Sequence, residues 1–91
     1  MGMASELLLL EPAKAAYVEL KVRLAVELAA RRQELRMSQK AAAERVQSSQ
    51  SRVAKMEAAD SSVSLDLMVR SLLGLGVARK PIQDLVERAI S

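Results

Sequence analysis

Apolar residues in this chain recur mostly at steps of three and four, the spacing of helices that bury one side. From Ala13 to about Leu35, Tyr17, Leu20, Leu24, Leu28 and Leu35 make one apolar stripe, with a gap at Arg31. Val18, Val22, Ala25 and Ala29 make a second stripe at the same spacing. One small core needs one stripe. The second stripe leaves two readings open: burial on two sides, where another chain can be the second neighbour, or Ala and Val that raise helicity on an exposed face. Ahead of this helix, residues 1–12 (MGMASELLLLEP) show no clear period and are expected to form an N-terminal arm. Pro12 suits the first turn of a helix better than its interior.

Serines punctuate the rest of the chain. Ser38 can accept a hydrogen bond from a first-turn backbone N–H, the N-cap role, and opens a helix over residues 39–46. Ala42, Ala43 and Val46 fall on one side of it, and Lys40, Glu44 and Arg45 mostly on the other. Ser48 or Ser49 can cap the next helix, Ser49 being better placed before Gln50. That helix runs to about Ala58, with Val53 and Met56 inward and Gln50, Ser51, Arg52, Lys55 and Glu57 outward. Residues 59–64 (ADSSVS) read as a loop. Ser64 can cap a fourth helix, with Asp66 placed for the helix dipole. Leu65, Met68, Val69, Leu72 and Leu73 supply its core face, and Gly74 and Gly76 mark its end. Pro81 opens a fifth helix to about Ala89, with Ile82, Leu85, Val86 and Ile90 apolar. There is no internal repeat and no low-complexity linker.

Composition narrows the class. Ninety-one residues, 51% of them hydrophobic, make one small domain with enough material for a core. Tyr17 is the one aromatic residue, so that core is aliphatic. Two Pro and three Gly leave little for the many turns of an all-β fold, and an all-α domain is expected. The absence of Cys and His removes thiol nucleophiles, imidazole bases, disulfides and nearly every transition-metal site. Glu19, Glu27, Glu34 and Asp66 form no motif-like pair, and no Gly-rich phosphate loop is present. No enzyme, cofactor or metal is expected. The tract Leu7–Leu10 is too short to span a membrane, and Glu6 and Glu11 flank it where a signal peptide carries Lys or Arg. A cytoplasmic location is the expectation. A net charge of +3 and a pI near 9.7 permit a nucleic-acid partner without requiring one.

Two short helices joined by about three residues are the core of a helix-turn-helix, in which the second helix enters the DNA major groove by its N-terminal end. Such a helix must be slim on its outer face and polar at its start. Gln bonds an adenine edge in bidentate fashion, Arg and Lys prefer guanine, and Ser lets the backbone come close.

Residues 38–58 (SQKAAAERVQSSQSRVAKMEA) resemble the helix-turn-helix of the Xre/Cro family of bacterial and phage regulators, HigA-like antitoxins among them. Ser38-Gln39, Ala42-Ala43, Val46, Ser49, Val53, Met56 and Glu57 stand at the family's motif positions. Residues 28–39 resemble its first helix running into the motif, residues 63–77 its fourth, and the match covers about residues 24–77. The resemblance implies a five-helix, lambda-repressor-like fold with a long first helix, here spanning residues 13–91. It also implies roles. Gln39 would contact a phosphate. Gln50 and Ser51 would read bases, Lys55 would reach a base or a phosphate, and Arg52 would serve either. Ser49 would cap the recognition helix and touch phosphate. Val53 and Met56 would be core and Glu57 structural. Apart from the resemblance, residues 30–32 (ARR), with Arg31 and Arg32, read as a solvated face or a weak phosphate contact. The chain departs from the family where Gln47 and Arg36 replace the usual glycines and Ala42 the usual leucine.

The resulting expectation is a sequence-specific DNA-binding regulator, a repressor acting as a homodimer on two half-sites about 34 Å apart. The alternative is an antitoxin that neutralises a toxin protein and regulates its own operon. A purely structural helical domain would require the motif spacing to be chance.

Overall fold

The computed structural model describes the backbone of residues 2–90 and the side chains of residues 12–88. Five helices follow one another: α1 (Gly2–Glu34), α2 (Gln39–Arg45), α3 (Gln50–Glu57), α4 (Leu65–Gly74) and α5 (Arg79–Ile90). Among the described residues there is no strand. This is an all-α, lambda-repressor-like arrangement. α2, α3 and α4 end within a residue or so of the limits read from the sequence.

Two starts differ from expectation. α1 begins at Gly2, not near Ala13, and carries Pro12 inside it. Proline holds φ near the helical value and removes one donor from the ladder, while the Leu- and Ala-rich chain on either side favours helix. α5 opens at Arg79, which leaves Pro81 in the first turn, where a backbone N–H has no intrahelical acceptor.

α1 packs against α3, α4 and α5, and α2 against α3. Leu24 and Leu28 of α1, Met56 of α3, Met68 and Leu72 of α4, and Leu75 are the largest side chains fully enclosed. Ala42, Ala43, Val53, Val63 and Ile82 complete the core around them. In the first stripe of α1, Leu20, Leu24 and Leu28 are buried and Leu35 half-buried, but Tyr17 is exposed. The second stripe divides: Ala25 is buried and Ala29 half-buried, while Val18 and Val22 face solvent. The molecule measures 51 × 27 × 16 Å, its long dimension close to the length of α1. Among the described residues no helix is long and apolar enough to cross a membrane.

The helix ends repeat one design. Ser38, Ser49 and Ser64 each sit in extended backbone and accept a hydrogen bond from the third helical N–H, of Ala41, Arg52 and Leu67, at 3.0–3.1 Å. α1 to α4 each close with the paired backbone bonds of a Schellman motif: Met37 N to Arg32 O, Ser48 N to Ala43 O, Asp60 N to Lys55 O and Val77 N to Leu72 O are the long member of each pair. The residue that must turn left-handed is Gly76 after α4, with φ +86°. After α1, α2 and α3 it is Arg36, Gln47 and Ala59, with φ of 56°, 58° and 52°.

Candidate nucleic-acid interface

α3 is amphipathic over only eight residues. Val53 and Met56 are buried, which fixes the rotation of the helix and turns Gln50, Ser51, Arg52 and Lys55 to solvent. None of these four side chains is tied up in a hydrogen bond or ion pair within the described chain. Ser49 stands at the head of the helix, its Oγ accepting from the Arg52 N–H at 3.1 Å. Five of the six residues singled out in the sequence are therefore exposed on α3 and its cap.

Gln39 is placed differently. It starts α2, is half-buried, and its Nε2 donates to Glu57 Oε1 at 3.3 Å. Glu57 is the hub of a network that the sequence did not reveal. Arg32, in the last turn of α1, donates from Nε and Nη2 to the two Glu57 oxygens at 2.6 and 3.0 Å, and from Nη1 to the Met37 carbonyl at 2.9 Å. The two side chains are only 17% and 11% exposed. The bond to Glu57 raises the Arg32 pKa above its ordinary value, against the opposing effect of burial. One arginine thus joins the end of α1, the α1–α2 turn and the end of α3.

Arg31 is also structural. Its Nε donates to Leu75 O at 2.8 Å, and Arg45 Nε donates to Gly74 O at 3.1 Å. Both guanidinium groups cap the C-terminal carbonyls of α4, where positive charge is favoured. The reading of Arg31 and Arg32 as a solvated face or a phosphate contact is corrected accordingly: each spends its donors on carbonyls and a carboxylate elsewhere in the fold.

Beside α3 lies a groove lined by Ser49, Ser51, Arg52 and Lys55 on one wall and by Ser62, Ser64, Asp66 and Arg70 on the other. Arg70 and the two serines of the second wall were missed in the sequence, because they belong to a loop and a helix outside the motif. The loop is tightly held. The Asp60 carboxylate accepts from Ser62 N at 2.8 Å and Ser62 Oγ at 2.6 Å, bonds that hold its pKa below the usual carboxylate value. From behind, the buried Lys21 of α1 donates to the Asp60 carbonyl at 2.7 Å.

A family model described as a helix-turn-helix domain matches residues 23–85, from mid-α1 into α5. The chain belongs to the helix-turn-helix domain family. No curated protein and no solved structure matches it. In this helix-turn-helix domain, α2 and α3 are the paired helices and residues 46–49 the turn between them. The left-handed Gln47 ends α2 and bends the chain into the turn that leads to α3. The matched residues include both walls of the groove, so the basic surface is part of the family domain.

Proposed function

We propose that this helix-turn-helix chain is a sequence-specific DNA-binding transcriptional regulator, a repressor acting as a dimer, with α3 laid in the major groove. The observation that carries the reading is the free outer face of α3. Gln50 and Ser51 at its start reach base edges, Arg52 and Lys55 reach a base or a phosphate, and Ser49 lets the backbone approach a phosphate. Gln39 contacts the neighbouring phosphate by exchanging its bond to Glu57 for one to DNA. Arg70 adds positive charge across the groove.

Fluorescence anisotropy on DNA from upstream of the chain's own reading frame, at two salt concentrations, tests this. The wild type binds, binding weakens with salt, and Gln50→Ala/Lys55→Ala abolishes preference over scrambled duplex. Equal, weak binding of both proteins to every duplex would overturn the proposal.

An apolar hollow between α4 and α5, lined by Val69, Leu73, Ile82 and Val86, favours a second reading, the antitoxin that also holds a toxin protein. Co-purification with the product of an adjacent reading frame, lost in Leu73→Lys, is the corresponding check.

A further inference from the structure

α1 is covered on one side by α3, α4 and α5, and its opposite side carries a bare aliphatic row. Val18, Val22 and Val26 stand four residues apart and are 50%, 46% and 62% exposed. Ala15 and Ala29 extend the same face at either end. Helix propensity does not account for this row. Valine loses rotamer freedom in a helix and ranks some tenths of a kcal/mol below Ala, Leu or Lys at a solvent position. Three exposed valines lower the stability of an isolated α1, and among the described residues none of them is enclosed.

The edge of the row says what would cover it. Glu19 and Arg23 lie along one flank, 2.9 Å apart. A twofold axis near Val22 that sets a second α1 antiparallel brings this flank against its own copy. Glu19 of each chain then lies beside Arg23 of the other, and Val18 packs against Val26 of the second copy. The two Arg23 side chains meet near the axis, each flanked by a Glu19 carboxylate of the other chain, so the four charges of that edge balance.

We infer that this valine face docks a second copy of the chain, α1 against antiparallel α1. The inference names the surface for the dimer in the proposed function and does not depend on DNA being read. Ala15 to Ala29 spans about 21 Å of helix at 1.5 Å per residue. A contact of that length covers less than the roughly 800 Å² per partner of a standard interface, so the pairing is weak and reversible.

Sedimentation equilibrium of the full chain over roughly 5–500 µM, the weak end of the affinity scale, reads the association directly. The wild type shifts from single to double mass. Val22→Lys stays at single mass, while Leu73→Lys, on the exposed apolar surface of α4, dimerises like wild type. Val22→Ala keeps the fold secure and separates the two roles of the side chain: it weakens dimerisation by roughly tenfold while the monomer becomes no less helical by circular dichroism. Glu19→Arg weakens pairing, and adding Arg23→Glu restores it. Single mass for wild type throughout, undiminished dimerisation of the Val22 variants, or no recovery in the charge-swapped chain overturns the inference. Binding of Val22→Ala to a duplex carrying one half-site, measured alongside, stays at the wild-type value and keeps this result apart from the fate of the DNA-reading proposal.

Discussion

Arg36, Gln47 and Ala59 each hold a left-handed backbone that costs an L residue about 1–2 kcal/mol. Glycine avoids that cost but brings about 0.5–1 kcal/mol of extra chain entropy in the unfolded state. The balance favours glycine. Gln47→Gly, at an exposed position, raises stability by about 0.5–1 kcal/mol, read as a higher urea midpoint with an unchanged slope. Gly76→Ala moves the other way, because its φ is +86° and a Cβ there would meet Arg31 Nη2 at 2.9 Å. The two serines of the turn also part company. Ser49→Ala removes the α3 cap and costs about 1 kcal/mol, whereas the Ser48 Oγ is buried with no partner among the described residues and Ser48→Ala costs less than about 0.5 kcal/mol. Ser49 was the better cap on sequence grounds because it directly precedes Gln50. Gln47 and Arg36 could be marked as turn positions only through the family pattern. Ala59 carried no such mark, since residue type says little about backbone torsion when no glycine announces it.

At the scale of helices, the recognition surface depends on α3 being held at both ends. Ser49 fixes its start, and the Arg32–Glu57 pair ties its end to α1. Removing either partner leaves a largely buried charge uncompensated, so Arg32→Ala or Glu57→Ala destabilises by about 3 kcal/mol. The double variant loses less than the sum, and a double-mutant cycle in urea measures the coupling. Spacing placed Glu57 on the outer face, which the structure corrects: its side chain is 11% exposed because it pairs with Arg32, a residue 25 positions away, and only the family resemblance marked it as structural. Helical periodicity tells which face a residue occupies and not which distant side chain it meets. The loop after α3 has an acid-sensitive anchor. The Asp60 pKa is lowered on folding by its bonds to Ser62, so its stabilisation is present above the unfolded carboxylate value. It is lost as pH falls through the lower folded value. The stability gap between wild type and Asp60→Asn, followed by thermal melts, is therefore constant at neutral pH and shrinks below about pH 4.

For the whole molecule, a mildly basic chain with arginines spent on internal bonds has fewer cations for DNA than its composition suggests. Arg31, Arg32 and Arg45 cap or pair within the fold, whereas Arg52 and Lys55 border the groove unpaired and Arg70 borders it in an exposed 3.6 Å pair with Asp66 that a phosphate can displace. Arg70→Ala is expected to lower the salt dependence of DNA binding by about one phosphate's worth and leave base preference unchanged, while Gln50→Ala relaxes preference with little change in slope. The fold class, the serine caps and the inward faces of α2 and α3 were legible because they follow from local spacing; in α4 Met68 and Leu72 are buried as read, but Leu73, counted on the core face, is exposed because it sits at the rim of the α4 stripe. The true start of α1 was not, because a proline in a Leu- and Ala-rich tract can open a helix or be carried through one. Val18 and Val22 were visible as part of a second stripe, but only the packed domain shows that among the described residues nothing encloses them.

One consequence is optical. Tyr17 is the chain's single aromatic side chain. Its ring lies 5.8 Å from the Lys21 ammonium, which in turn grips the Asp60 carbonyl at the exit of α3. Native ultraviolet emission therefore comes from one address, next to the strut behind the recognition helix. DNA has no comparable emission of its own to confuse with it, so the unlabelled protein carries a built-in reporter for any movement of that strut when α3 is loaded.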